Sequence, residues 1–120
     1  MKISTAVIDA SYVMSWLLPD ENTPTKNPVK KLAPSLLTYE VVNALKSAVV
    51  QKRIDSIMAK ELLKEFEGWE VRFLPVNMTE VMVLAIDNKL SGYDASYVWL
   101  AREKRCQLLT WDRGLGLLIG

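Results

Sequence analysis

The chain has 120 residues, with 15 Lys and Arg against 14 Asp and Glu, a net charge of +1, and half of its residues hydrophobic. That length is one domain's worth, enough to bury about two-thirds of the unfolded surface without disulfides, and the hydrophobic share excludes a disordered chain. Near-neutral charge excludes a uniformly basic nucleic-acid binder and leaves only a local patch for such a role; the lack of any histidine removes Ser-His-Asp, Cys-His and histidine-ligated metal chemistry together.

Residues 3–8 read as a first strand whose apolar end, Ala6-Val7-Ile8, runs straight into Asp9, a poor strand residue. Ser11 is placed to cap a short helix over 12–18 that stops ahead of Pro19. Residues 20–30, "DENTPTKNPVK", carry no apolar period and read as a loop. "KLAPSLL" is a short strand running into a turn, and Thr38 then caps a helix over about 39–53 with Val42, Leu45 and Val49 at helical spacing. Asp55 caps another helix, with Met58, Leu62 and Phe66 on one stripe, that ends near Gly68. "WEVRFLPV" reads as a strand. Thr79 caps a helix through about Lys89 that is apolar almost all round, which predicts burial. Ser91-Gly92 opens a helix through about Lys104, "QLLTW" is a last strand, and Asp112-Arg113-Gly114 is a turn. The tail "LGLLIG" is too short to assign. Strands alternating with helices predict an α/β fold, one domain over 1–120, with a parallel sheet covered on both faces.

The lone cysteine, Cys106, cannot form an internal disulfide and points to a reducing compartment; beside an apolar strand it reads as a small core residue. No signal-peptide core and no 18-residue apolar run is present, so the expectation is a soluble, cytoplasmic protein without a membrane role. Trp16, Trp69, Trp99 and Trp111 read as core or interface residues, with base stacking as the alternative.

In an open parallel sheet, ligands collect beyond the carboxyl ends of the strands. Asp9 and Asp112 follow strands, while Glu40 and Asp94 are predicted in the first turns of helices. Asp94 aligns at helical spacing with Tyr97, Val98 and Ala101 rather than with Arg102, Lys104 and Arg105. A carboxylate on that core-facing stripe is costly unless it is paired or holds a metal. Glu40 shares a polar stripe with Asn43 and Ser47. Acids meeting in one crevice without histidine suit a hard divalent cation, Mg²⁺ or Mn²⁺, as one ion or as two about 3.5–4 Å apart. Each acid also has a plainer reading: Asp94 as a capping-box partner of Ser91, Glu40 and Asp94 as charges complementing a helix dipole, Asp9 and Asp112 as turn residues. Lys46, Lys52 and Arg53 are predicted on the exposed side of one helix, either as a solvated face or as phosphate contacts.

Four segments, "VIDASYVMSWLLPDE", "APSLLTYEVVNAL", "LSGYDASYVWLA" and "LLTWDRGL", resemble in order and spacing the conserved blocks of PIN-domain proteins, and within them the VapC-type toxins of toxin–antitoxin pairs. The resemblance implies a three-layer α/β/α PIN-like fold and a Mg²⁺- or Mn²⁺-dependent endoribonuclease whose site acids are Asp9, Glu40, Asp94 and Asp112. Asp9 and Asp94 would contact the cation, Glu40 and Asp112 would complete its surroundings, and Ser11 and Thr110 would supply small hydroxyls that orient the acids or a metal-bound water, with Asn43, on the Glu40 stripe, as a further polar group beside them. It further implies an RNA substrate, a homodimer and an antitoxin partner. Relatives usually carry a longer, helix-containing segment where this chain has its 20–30 loop, and tend to continue into another edge strand after "TWDRGLGLLIG". Two other functions fit the same residues: a PIN nuclease of RNA processing without an antitoxin, and a non-catalytic interaction module in which the acids only cap.

Overall fold

A computed structural model describes residues 2–18 and 27–119. The sheet is wholly parallel and follows from β1 (Lys2–Ile8), whose Ala6, Val7 and Ile8 are fully buried. A continuous apolar run of this kind is what a strand covered on both faces requires. β1 pairs on one side with β2 (Asn27–Ala33) and on the other with β4 (Gln107–Leu109); β3 (Arg72–Phe73) extends the sheet beyond β2, giving the order β3-β2-β1-β4. Val7 lies opposite Leu32 in one neighbour and opposite Leu108 in the other.

The helices are α1 (Ala10–Leu17), α2 (Leu36–Val50), α3 (Ser56–Glu67), α4 (Met78–Asn88), α5 (Gly92–Glu103) and α6 (Arg113–Leu117). The chain moves from β1 through β2 to β3 in one direction, then returns past β1 to form β4. Right-handed crossovers therefore put α1, α2 and α3 on one face and the α4–α5 pair on the other, in accord with the mutual packing of α1, α2 and α3 and the packing of α5 on β1. Leu37, Val41, Val13, Val98 and Leu100 are fully enclosed between these layers, each stabilising the fold by roughly 1.5–3 kcal/mol relative to exposure. Among the described residues no helix is long and apolar enough to cross a membrane.

Several sequence expectations are corrected. α1 begins at Ala10 and its cap is Asp9, which accepts the Tyr12 amide, so Ser11 lies inside the helix. The expected 20–30 loop lies outside the described residues up to 26, but 27–30 belong to β2. Asn27 and Pro28, residue types that favour turns, hid a strand whose cohesion is backbone pairing with β1. α2 starts at Leu36, capped by Ser35 without a side-chain hydrogen bond, so Glu40 sits in its second turn. The helix ends at Val50, which leaves Lys52 and Arg53 in the following turn, Lys52 with φ +62°, and only Lys46 on the helix. The strand in "WEVRFLPV" is only Arg72–Phe73, with the Leu74 amide still donating to the Ala33 carbonyl at 3.0 Å, and that in "QLLTW" is only Gln107–Leu109. α4 is capped by Asn77, not Thr79. The expected burial of α4 fails as well: Val81 and Ala85 pack against Ala95, whereas Met78, Met82, Val83 and Ile86 face outward. The 112–114 turn continues as α6, with Asp112 as its cap.

Candidate active site

The point where the chain reverses its progress across the sheet lies between β1 and β4. There neither crossover covers the carboxyl ends of the strands, which leaves a crevice for a ligand. Ile8 pairs with Leu109, and one residue on, the Asp9 amide donates to the Leu109 carbonyl at 3.3 Å. This last rung holds Asp9 and Thr110 side by side at that edge.

Asp9 is 8% exposed. Its Oδ1 accepts the Ser11 hydroxyl at 2.7 Å and the Tyr12 amide at 3.0 Å. Ser11 Oγ in turn accepts the Trp111 amide at 3.0 Å and lies 3.4 Å from Thr110 Oγ1. Thr110 Oγ1 accepts the Asp112 amide at 3.0 Å. Two hydroxyls thus tie the β1–α1 turn to the β4–α6 turn. Burial raises the Asp9 carboxyl above its ordinary value, while hydrogen bonds from Thr110, Ser11 and the Tyr12 amide pull it down.

Glu40 comes from α2 on the opposite face. Burial holds its carboxyl up, and the nearby negative charges of Asp9 and Asp94 add to this; the Tyr97 hydroxyl, donating to Oε1 at 2.5 Å, acts the other way. Asp94 stands in the first turn of α5, where its amide donates to the capping Ser91 hydroxyl at 3.0 Å. Its carboxyl is raised by burial, then by Asp112 and Asp9. Tyr97 is 1% exposed, and burial together with Glu40 keeps its phenol strongly protonated. Each acid is therefore within electrostatic reach of at least one other, although Asp9, Glu40, Asp94 and Asp112 come from four separate segments.

The plainer readings also have a share. Asp9 and Asp112 do cap helices, and Glu40 lies too far along α2 for the dipole reading. Capping engages one oxygen of Asp9, and mutual repulsion still has to be offset. Oxygen-only donors suit Mg²⁺ or Mn²⁺. Among the described residues, no three carboxylates stand close enough to form a ready-made cage. An ion held here would keep several waters and take one or two direct carboxylates. Asn43 is exposed on α2 beside the Glu40 stripe; Lys46, Lys52 and Arg53 are exposed too. A concavity of about 660 Å³, lined by Leu36, Val76, Met82, Ile86 and Tyr93 among others, opens beside the start of α5 and does not contain the acids. The site residue that sequence reading missed is Tyr97; the available signal was its position one helical turn after Asp94.

No protein-family model matches the chain. It is 30% identical over 118 residues to Ribonuclease VapC3 of Pyrobaculum aerophilum, covering 91% of this chain and 90% of that protein. It is likewise 30% identical over 107 residues to Ribonuclease VapC9 of Mycobacterium tuberculosis, with 88% and 84% covered. The crystal structure of PAE2754 from Pyrobaculum aerophilum superposes with a TM-score of 0.76 at 25% identity, over 96% of this chain and 84% of that one.

Proposed function

The chain belongs to the VapC ribonuclease family, and from that membership we propose that it is a metal-dependent endoribonuclease, the toxin of a VapBC-type toxin–antitoxin pair. The observation that carries this reading is that acids from four separate segments come near one another at the switch point of the sheet, Glu40 feeling the charges of Asp9 and Asp94, and Asp94 those of Asp112 and Asp9. In this reading Asp9 and Asp94 hold Mg²⁺ or Mn²⁺, and Glu40 and Asp112 complete its surroundings. Such an ion supplies positive charge for the phosphate oxygens and lowers the pKa of a water. Asp9 is aimed by the Ser11 hydroxyl and the Tyr12 amide, whose hydrogen bonds, with that from Thr110, work against the upward push of burial on its carboxyl. Tyr97 fixes one oxygen of Glu40 and leaves the other to the site. Cleavage adds a water oxygen to phosphorus and breaks the bond to the leaving ribose oxygen.

Lys46, Lys52 and Arg53 are exposed and belong to the RNA contacts in this reading. Partners are an antitoxin protein and a second copy of the chain, the latter supported by the outward-facing Met78, Met82, Val83 and Ile86 of α4. The compartment is the cytoplasm. The competing reading, a non-catalytic interaction module, is favoured by the lack of a ready-made three-carboxylate cage among the described residues.

Cleavage of single-stranded RNA by the purified chain, with and without Mn²⁺, decides between them. The nuclease requires cation-dependent cleavage that EDTA stops and that Asp94→Asn abolishes. The module requires no cleavage and no rise in melting temperature at millimolar Mn²⁺.

A further inference from the structure

Glu40 presents a mechanical problem that the acids alone do not solve. It is carried by α2, on the sheet face opposite α5, and its long side chain rotates about three bonds. Asp9 and Asp94 repel it. With water on its open side, the low-energy response is to swing outward, away from the other acids. What opposes this is a hydrogen bond from Tyr97 Oη to Glu40 Oε1, spanning 57 residues of sequence. Tyr97 is 1% exposed, and Val98, Leu100 and Ala101 beside it on α5 are fully buried. Its ring therefore cannot follow the carboxylate outward. Asp94 stands one helical turn before Tyr97 on the same helix, so a single rigid element places one acid and holds the other.

We propose that Tyr97 is a positioning residue that keeps the Glu40 carboxylate turned into the acidic crevice before any cation arrives. Tyr97 has this role only if Glu40 belongs to the cation site proposed above. Hydrogen-bond partners that orient metal-binding side chains typically govern about 10–100-fold in metal affinity. Tyr97→Phe removes one oxygen from a buried ring and adds no volume, while the freed Glu40 oxygen turns to water.

The test is Mn²⁺ binding by titration calorimetry on wild type, Tyr97→Phe, Glu40→Gln and the double variant, with RNA cleavage measured across Mn²⁺ concentration. The expected result is a Tyr97→Phe dissociation constant about tenfold or more above wild type. Its maximal cleavage rate should recover at saturating Mn²⁺. Removing the hydroxyl from the Glu40→Gln protein should change affinity hardly at all, because the pair acts as one unit. A hydroxyl that served only packing would alter melting temperature without this coupling.

Glu40→Asp breaks the same bond from the other side by shortening the acid, and keeps the inference testable if Tyr97→Phe does not fold. It must then weaken Mn²⁺ to a similar degree. Wild-type Mn²⁺ affinity in Tyr97→Phe or in Glu40→Asp overturns the positioning role and leaves the cation site standing. Lack of Mn²⁺ binding by wild type overturns both.

Discussion

The Asp9 carboxylate and the Trp111 amide share one hydroxyl: Ser11 Oγ donates to Asp9 at 2.7 Å and accepts from Trp111 at 3.0 Å. The residues so joined lie about a hundred positions apart and belong to the turns that follow β1 and β4. Ser11→Ala deletes both the donor to a buried carboxylate and the acceptor of the Trp111 amide. Expected is a loss of about 1–2 kcal/mol, read as a lower urea midpoint at unchanged m-value. RNA cleavage should fall with it. A midpoint and a rate equal to wild type would show that the hydroxyl ties nothing together.

Asp94→Asn separates stability from activity. Asp94 is held above its ordinary pKa by burial and by Asp112 and Asp9, so the charged form is unfavourable in the folded chain. Asparagine keeps the shape and removes the charge. The variant should lose Mn²⁺-dependent cleavage and yet melt at or above the wild-type temperature in EDTA, a trade-off common to strained active sites. In millimolar Mn²⁺ the order should reverse, because only the wild type gains binding energy. A variant that melts well below wild type in EDTA would mean that Asp94 serves the fold rather than the site.

What could be read from the residues alone depended on whether the cause was local. Asp9, Asp94 and Asp112 were legible as residues at element ends because an apolar run stopping at an acid is a local signal, as is a cap such as Ser91. The caps at Asp55 and Ser91 were found for the same reason. β2 was half missed because Asn27, Val29 and Lys30 face solvent and the strand is held by its ladder with β1. α4 was misjudged because apolar side chains reveal a tendency to be covered but not the covering partner. Within the chain the covering comes from Ala95 and Trp99 on α5 with Val76 and Leu90 beside them, and it reaches only the Val81–Ala85 side of the helix. The bond between Tyr97 and Glu40 crosses from one face of the sheet to the other and has no sequence signature.

The pH dependence has a definite sign. Asp9, Glu40 and Asp94 all have folded carboxyls above their ordinary values, by burial first. Between the unfolded and the folded pKa, the folded chain binds more protons than the unfolded one, so stability falls as pH rises through that interval. In EDTA, the excess stability of Asp94→Asn over wild type should be small below the ordinary carboxylate range. It should widen as pH climbs through the raised value, then level off. Saturating Mn²⁺ should compress this gap at high pH, since cation binding favours the ionised carboxylates. Thermal melts of both proteins across pH, with and without Mn²⁺, give the answer. A gap that narrows with rising pH in EDTA contradicts the placement of Asp94 among like charges.

The outer face of α4 makes a prediction of a different kind. Met82 is 55% exposed and Ile86 69% exposed, while the inner Val81 and Ala85 seat the helix on Ala95. Charge introduced at Met82 or Ile86 therefore meets water in an isolated chain and costs the fold little. Across an apolar interface between two copies it would be desolvated without a partner. Met82→Glu and Ile86→Glu should each leave the melting temperature at low protein concentration nearly unchanged and weaken self-association by about tenfold or more. Sedimentation equilibrium over a range of concentrations reads this directly. If wild type sediments as a monomer throughout, or if the glutamate variants associate as tightly as wild type, then the apolar face of α4 is not the surface on which two copies meet.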